Sequence, residues 1–240
     1  MTENLINFNL KYQYFNNTKL YREIANLSIN NAKTCFKINI GQSAVINIKF
    51  HTTLKNVQIT QYDLTLLNSI YTLKKNGITS FSLDWLGKII SGNQNQKLTQ
   101  QKIKRMKESI EKLNSIIIEI DCTEEFNLYQ HQKKQKPITS KIYKGALLST
   151  QLAVGRYAVN GKTLNIYKLL TISPLFQYAE MNHQILYAPA YFLDTKQYFS
   201  DTDESIIIKR YVIQKILIMR RRNKINNHKI SLEWENSLGV

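Results

Sequence analysis

The run from Thr60 to Asp121 constrains the fold most, because three helical patterns and two β-branched segments follow one another with a stop or cap at each junction. Thr60 or Gln61 opens the first helix, and Tyr62, Leu66, Leu67, Ile70 and Tyr71 give it an apolar stripe. Lys74-Lys75-Asn76-Gly77 then offers cations to the negative end of the dipole and a glycine stop. Ile78 to Phe81 suits one short strand, and Ser82 caps a second helix, Leu83 to Ser91, with Leu83, Leu86, Ile89 and Ile90 apolar. After a polar turn, Thr99 caps a third helix, Gln100 to Leu113. Ile103, Met106, Ile110 and Leu113 form its narrow apolar stripe, with Gln101, Lys104, Arg105, Glu108 and Lys112 opposite. A strand, Ile116 to Ile120, leads into an acidic turn and the basic stretch Lys133-Lys134-Gln135-Lys136.

Helix, short strand, helix, turn, polar-faced helix, strand, basic loop is the order of a winged helix-turn-helix, in which the third helix enters the major groove and the loop is the wing. The fold class expected is α+β: a winged helix-turn-helix domain followed by a second, winged-helix-like and abbreviated α+β domain. Residues 1–35 read as a polar N-terminal segment with a weak helical pattern at Leu20, Ile24 and Leu27. Residues 36–136 hold a hairpin (Phe36 to Ile40, Val45 to Phe50) plus the first domain, and 137–240 the second. In that second part Leu147 to Val154 is a candidate strand, and Asn160-Gly161 marks a type I′ hairpin between Arg156 and Tyr167. Ser173-Pro174 starts a helix, Ile185 to Tyr187 is a short strand, and Asp201 to Glu204 opens a long helix reaching Arg222. Ile230 to Trp234 could form a last strand.

Thirty-three Lys and Arg against 17 Asp and Glu leave a net charge of +16, an excess usually held for a polyanion, nucleic acid being the commonest. A Lys-rich composition alone is the plainer explanation. Apolar residues at 43% argue against wholesale disorder. No apolar run approaches the roughly 18–20 residues of a membrane span, and no basic-then-apolar start is present, so the protein is expected to be cytoplasmic. Cys35 and Cys122 lack CxxC spacing and read as reduced, buried thiols. There is no GxxxxGK[ST], GxSxG or HExxH, and the four histidines stand singly. Asp201, Asp203 and Glu204 could suggest a Mg²⁺ site, but carboxylates opening a helix serve its dipole. No enzyme activity, cofactor or metal is expected.

The basic features fall into three groups. Lys97, Thr99, Gln100, Gln101, Lys104 and Arg105 have a reader's composition: Gln pairs with adenine, Arg and Lys with guanine, and Thr or Lys with phosphate. A solvated face with Lys104–Glu108 and Lys107–Glu111 pairs is the alternative. Lys133, Lys134 and Lys136 would touch phosphate or the minor groove as a wing. Arg220, Arg221, Arg222 and Lys224 belong to a stretch from Ser205 to Ile230 with eight cations and no acid.

On Gln58-Ile59-Thr60, Phe81-Ser82-Leu83 to Leu86, and Lys102-Ile103 to Ile117, residues 56–136 resemble the first winged-helix domain of the tandem winged-helix initiators of plasmid replication. Tyr167 to Ala179 and Glu204 to Ile213 resemble proteins carried by plasmids and mobile genetic elements of low-GC Gram-positive bacteria. The resemblance implies a sequence-specific double-stranded DNA-binding protein, most naturally a non-catalytic replication initiator. It would bind repeated origin sites, as a homodimer in one arrangement, and recruit a host helicase or primase. The alternatives are a winged-helix protein-interaction factor, an inhibitor or loader of a host protein, and a transcriptional repressor.

Overall fold

In a computed structural model, residues 10–30, 32–41, 44–93, 97–156, 163–193 and 202–221 are described. The chain is α+β throughout: helices alternate with short strands that pair antiparallel in small sheets.

The N-terminal segment, polar in composition, is built into the fold. It forms β1 (Tyr12–Asn16), α1 (Lys19–Glu23), a 3-10 turn (Ile24–Asn26) and β2 (Ser28–Asn30). Phe15, Leu20, Tyr21 and Ile24 are buried, and burying such side chains is worth about 1.5–3 kcal/mol each. The expected hairpin follows as β3 (Cys35–Ile40) and β4 (Ala44–His51), with Gly41 at φ +62° leaving the first strand, and β5 (Asn56–Gln58) pairs with β2. Cys122 is buried as expected, but Cys35 is exposed, because β3 turns its odd-numbered positions outward.

α2 (Gln61–Lys75) opens on a capping box: Asp63 N–H donates to Thr60 Oγ1 at 3.2 Å and Thr60 N–H to Asp63 Oδ2 at 2.7 Å. Sequence periodicity gives this helix one apolar stripe, yet most of its circumference is buried. β1 covers the far side, where Tyr14 N–H donates to Thr72 Oγ1 at 3.0 Å and Asn76 Nδ2 to the Tyr12 carbonyl at 3.1 Å. Thr72 and Asn76, polar in the sequence, serve that contact.

β6 (Ser80–Phe81), α3 (Leu83–Ser91, capped by Ser82) and α4 (Gln100–Asn114, capped by Thr99) match the expected elements within a residue or two. Gly92, at φ +74°, ends α3 in the left-handed conformation. After α4 the structure departs from expectation. β7 (Ile117–Asp121) runs into α5 (Thr123–Gln132), where an acidic turn and loop were expected, and β8 (Ile142–Ala146) returns beside β7. The strand order β3-β4-β7-β8 joins this excursion to the N-terminal hairpin.

β9 (Ser149–Arg156) and β10 (Thr163–Thr171) form the second hairpin; its Asn160-Gly161 turn lies outside the described residues, as does Ile230 to Trp234. β10 sits between β6 and β9, with Tyr167 opposite Phe81 on one side and Leu152 on the other. The hairpin that closes on the strand between α2 and α3 is therefore β9–β10, and the stretch 133–136 assigned to the wing is not part of it.

α6 (Pro174–Met181) begins with proline at its first turn, β11 (Ile185–Pro189) pairs with β1, and α7 (Asp203–Arg221) packs Ile213, Leu217 and Ile218 against Phe15, Leu186 and Ala188. The pairings β1–β11, β6–β10 and β7–β8 all cross the segment boundaries drawn at 35/36 or 136/137. One buried cluster runs from Leu20 to Ile206.

Candidate nucleic-acid interface

α4 is seated by Met106, Ile110 and Leu113 and locked from one flank by a buried carboxylate. Asp63, 2% exposed, accepts from Ser109 Oγ at 2.5 Å and from Lys112 Nζ at 2.5 Å. Lys112 Nζ also reaches the Gln58 carbonyl at 3.2 Å. A buried charge must be paired and fully hydrogen-bonded. The Asp63 side chain therefore fixes the rotation of α4 about its own axis and its register against α2.

That rotation presents Gln100, Gln101, Lys104 and Arg105 to solvent, with Lys97 and Thr99 exposed in the turn before the helix. Thr99 Oγ1 accepts from the Lys102 N–H at 3.3 Å, so its hydroxyl is engaged in capping. Lys104 lies 3.9 Å from Glu108, an exposed pair of the kind worth little in water. Arg105 is more tightly held: its guanidinium lies over the Tyr62 ring at 4.3 Å, and Nη1 donates to Asp203 Oδ2 at the start of α7. Burial, with the Asp203 charge next, holds the Tyr62 phenol well above its ordinary range, so it faces Arg105 as a neutral ring.

The β9–β10 hairpin is tied to the other end of α4. Asn114 Nδ2 donates to Thr150 Oγ1 at 2.9 Å, Thr150 N–H to Asn114 Oδ1 at 3.1 Å, and Leu148 N–H to the Leu113 carbonyl at 3.2 Å. Residues 151–155 and 163–164 are exposed, as is Lys168.

The remaining basic residues sit elsewhere. Lys133 ends α5 and lies over the Tyr129 ring at 4.4 Å, Lys134 is left-handed at φ +54°, and Lys136 is exposed in the following loop. All three stand at the end of the β7–β8 ribbon away from α4, because Ile117 and Ala146 form the pair next to α4 and Asp121 leads into α5. Arg220 is exposed in the last turn of α7; Arg221 lies in the helix, and Arg222 and Lys224 lie outside the described residues.

Two further residues shape this region and were not singled out from the sequence. One is Asp63, whose Thr60-x-x-Asp63 spacing is a capping-box signature. The other is Arg210, 5% exposed, whose Nη2 and Nε donate to the carbonyls of Ile89 at 2.7 Å and Ile90 at 3.1 Å. These are orphan carbonyls at the C-terminus of α3, where a cation also meets the negative end of the dipole. Burial pulls the Arg210 guanidinium down to about 10, so it stays protonated at neutral pH. A buried cation in a basic stretch leaves no signal that separates it from its exposed neighbours.

Among the described residues no group of His, Cys, Asp and Glu is arranged to hold a metal, and no helix is long and apolar enough to cross a membrane. No protein-family model and no curated protein matches the chain. Among solved structures it is similar to domains 2-3 of RctB, at a TM-score of 0.45 and 15% identity over 84% of this chain and 69% of that one. A selenomethionine derivative of domains 2 and 3 of RctB gives a TM-score of 0.42 and 14% identity, covering 83% of this chain and 68% of that one.

Proposed function

We propose that the unit α2-β6-α3-α4-β9-β10 is a winged helix that reads double-stranded DNA, with α4 in the major groove and the β9–β10 hairpin as the wing. The observation that carries this reading is the exposure of Gln100, Gln101 and Lys104 at the start of α4, with Lys97 in the turn before it, on a helix that Asp63 locks from one flank. Gln side chains pair with adenine N6 and N7, and Lys with guanine or phosphate, so this face suits base readout. A net charge of +16 supplies the sequence-independent attraction.

With the resemblance seen in the sequence, the finer proposal is a non-catalytic replication initiator of a plasmid or mobile element. Repression of transcription would use the same surface. The test is retention of random duplexes by the full chain at about 150 mM salt, followed by sequencing of the retained pool. Enrichment of one repeated site supports the proposal. Retention without enrichment reduces it to backbone binding, and no retention removes it.

A protein-interaction role is favoured by a different observation. β9 is an edge strand carrying Leu152 at 48% exposure and Val154 at 65%, and an apolar edge of this kind is a template for another chain. Binding of a host replication protein that survives Gln101→Ala with Lys104→Ala would mark that second surface.

A further inference from the structure

We propose that Asp203 is a positioning residue for sequence readout: it holds Arg105 so that one side of the guanidinium is engaged inside the protein and the remaining donors face a guanine. This inference rests on the DNA-reading role of α4 and adds a residue of α7 to it.

The asymmetry of the pair carries the argument. The Asp203 side chain is 14% exposed and the Arg105 side chain 48%, so the carboxylate is the enclosed partner and the cation the presented one. Arg105 uses Nη1 on Asp203 and holds its guanidinium carbon over the Tyr62 ring, 4.3 Å from the centroid, so two contacts restrict the direction of the fork. A guanidinium has five N–H donors, and one contact at Nη1 leaves Nε and Nη2 to pair with guanine O6 and N7. A long side chain fixed before binding loses less freedom when it docks.

Asp203 is itself held in the frame of the reading helices. Seven residues further along α7, Arg210 is buried against the carbonyls of Ile89 and Ile90 at the end of α3. Lys209 Nζ donates to the Leu193 carbonyl at 3.0 Å, beside Gly92 in the turn that leads to α4. The carboxylate thus moves with α2, α3 and α4. Glu204, exposed in the same first turn, already provides an anion for the α7 dipole, so pairing with Arg105 is an additional role for Asp203. A carboxylate near the base edges also repels phosphate that approaches out of register, which favours discrimination over affinity.

The test is a bound-sequence selection with the full chain and its Asp203→Ala, Asp203→Asn, Asp203→Glu and Arg105→Ala variants, followed by competition with single-base substitutions in the enriched site. Asp203→Ala and Arg105→Ala should relax guanine preference at the same base pair, on the order of tenfold, and leave the other positions unchanged. Asp203→Glu should keep part of the preference, and Asp203→Ala should bind non-specific duplex as well as wild type or better. Thermal melts of the same four variants report whether folding is intact. Tightening of specific and non-specific binding by equal factors, with guanine preference kept, would make Asp203 only a competitor for DNA and overturn the proposal. So would a preference lost equally at every position. Failure of the wild-type chain to enrich any site defeats the DNA-reading role itself, and this inference with it.

Discussion

Asp63 of α2 and Lys112 of α4 meet at 2.5 Å across the contact between the two helices, and the carboxylate is almost wholly enclosed while the ammonium is about a quarter exposed. The two ends of this pair are therefore not equivalent. Lys112→Met leaves a buried carboxylate that still accepts from Ser109 and Thr60, whereas Asp63→Ala removes the acceptor for all of them and opens the capping box. Breaking a buried pair costs roughly 3–5 kcal/mol when it strands the buried charge, and losing a cap roughly 1 kcal/mol. Urea denaturation should show Lys112→Met, which strands the Asp63 carboxylate, losing about 3 kcal/mol, with Asp63→Ala losing less because the ammonium it releases is partly exposed. A loss for Asp63→Ala as large or larger would mean that the hydrogen bonds to Thr60 and Ser109, not the charge pair, dominate the contact.

Gly92 and Gly77 separate two costs that a glycine can hide. Both have positive φ, +74° and +84°, and each ends a helix. A Cβ on Gly77 meets nothing within 4 Å, but one on Gly92 would lie 2.4 Å from Leu193 Cβ and 2.6 Å from its carbonyl carbon. Gly77→Ala should cost about 1 kcal/mol for the left-handed backbone alone. Gly92→Ala should cost more, about 2–4 kcal/mol, since Leu193 backbone must shift away from the α3–α4 turn. Thermal melts of the two variants compare them directly, and similar losses would show that the Leu193 segment yields freely.

What was legible in the sequence and what was not divides along physical lines. The helices α2, α3 and α4 were readable because Thr60, Ser82 and Thr99 cap them and a strong apolar period fills them. α5 was missed because none of its residues is buried, so no period exists to be read, and Leu128 and Tyr129 stand exposed. The hairpin β9–β10 was visible through Asn160-Gly161, but its partner was not. That β10 pairs with β6 is decided by Phe81 and Tyr167, which stack at 5.8 Å across a separation of more than eighty residues. The reading face was legible as composition; the captivity of Arg105 was not, because Asp203 lies 98 residues away along the chain.

Alkaline pH should unfold the protein through its buried phenols. Tyr71 donates to Glu180 Oε1 at 2.5 Å and Tyr178 to Glu125 Oε2 at 2.7 Å, joining α6 to α2 and to α5. Burial first, and the carboxylate each phenol donates to second, raise both groups far above the ordinary value of 10.0. A folded-state value above the unfolded one gives stability that is complete below about pH 10 and is lost as pH rises toward the folded value. Stability measured between pH 7 and 9 should show no loss from these two groups, then fall above 10, with tyrosinate absorbance rising together with unfolding. Tyr178→Phe should leave Glu125 without that donor and weaken the fall. Tyrosinate absorbance that rises below pH 10, well before unfolding, cannot come from these two side chains.

The two basic clusters should differ in the salt dependence of DNA binding. Lys97 and Lys104 lie at the presented end of α4, whereas Lys133, Lys134 and Lys136 stand beyond α5, at the far end of the β7–β8 ribbon. Each phosphate neutralised contributes about 0.9 to the slope of log affinity against log salt. Lys97→Ala with Lys104→Ala should therefore lower the slope by about 2 if both meet phosphate, or by about 1 with a loss of base preference if Lys104 reads guanine. Replacing Lys133, Lys134 and Lys136 together should change it by less than about 1, although three charges are removed. A fall near 3 for that triple variant would place α5 on the DNA and require the duplex to run along the β3-β4-β7-β8 sheet. Both variants keep every buried contact of α4 and the hairpin, so a difference between them reports where the nucleic acid lies.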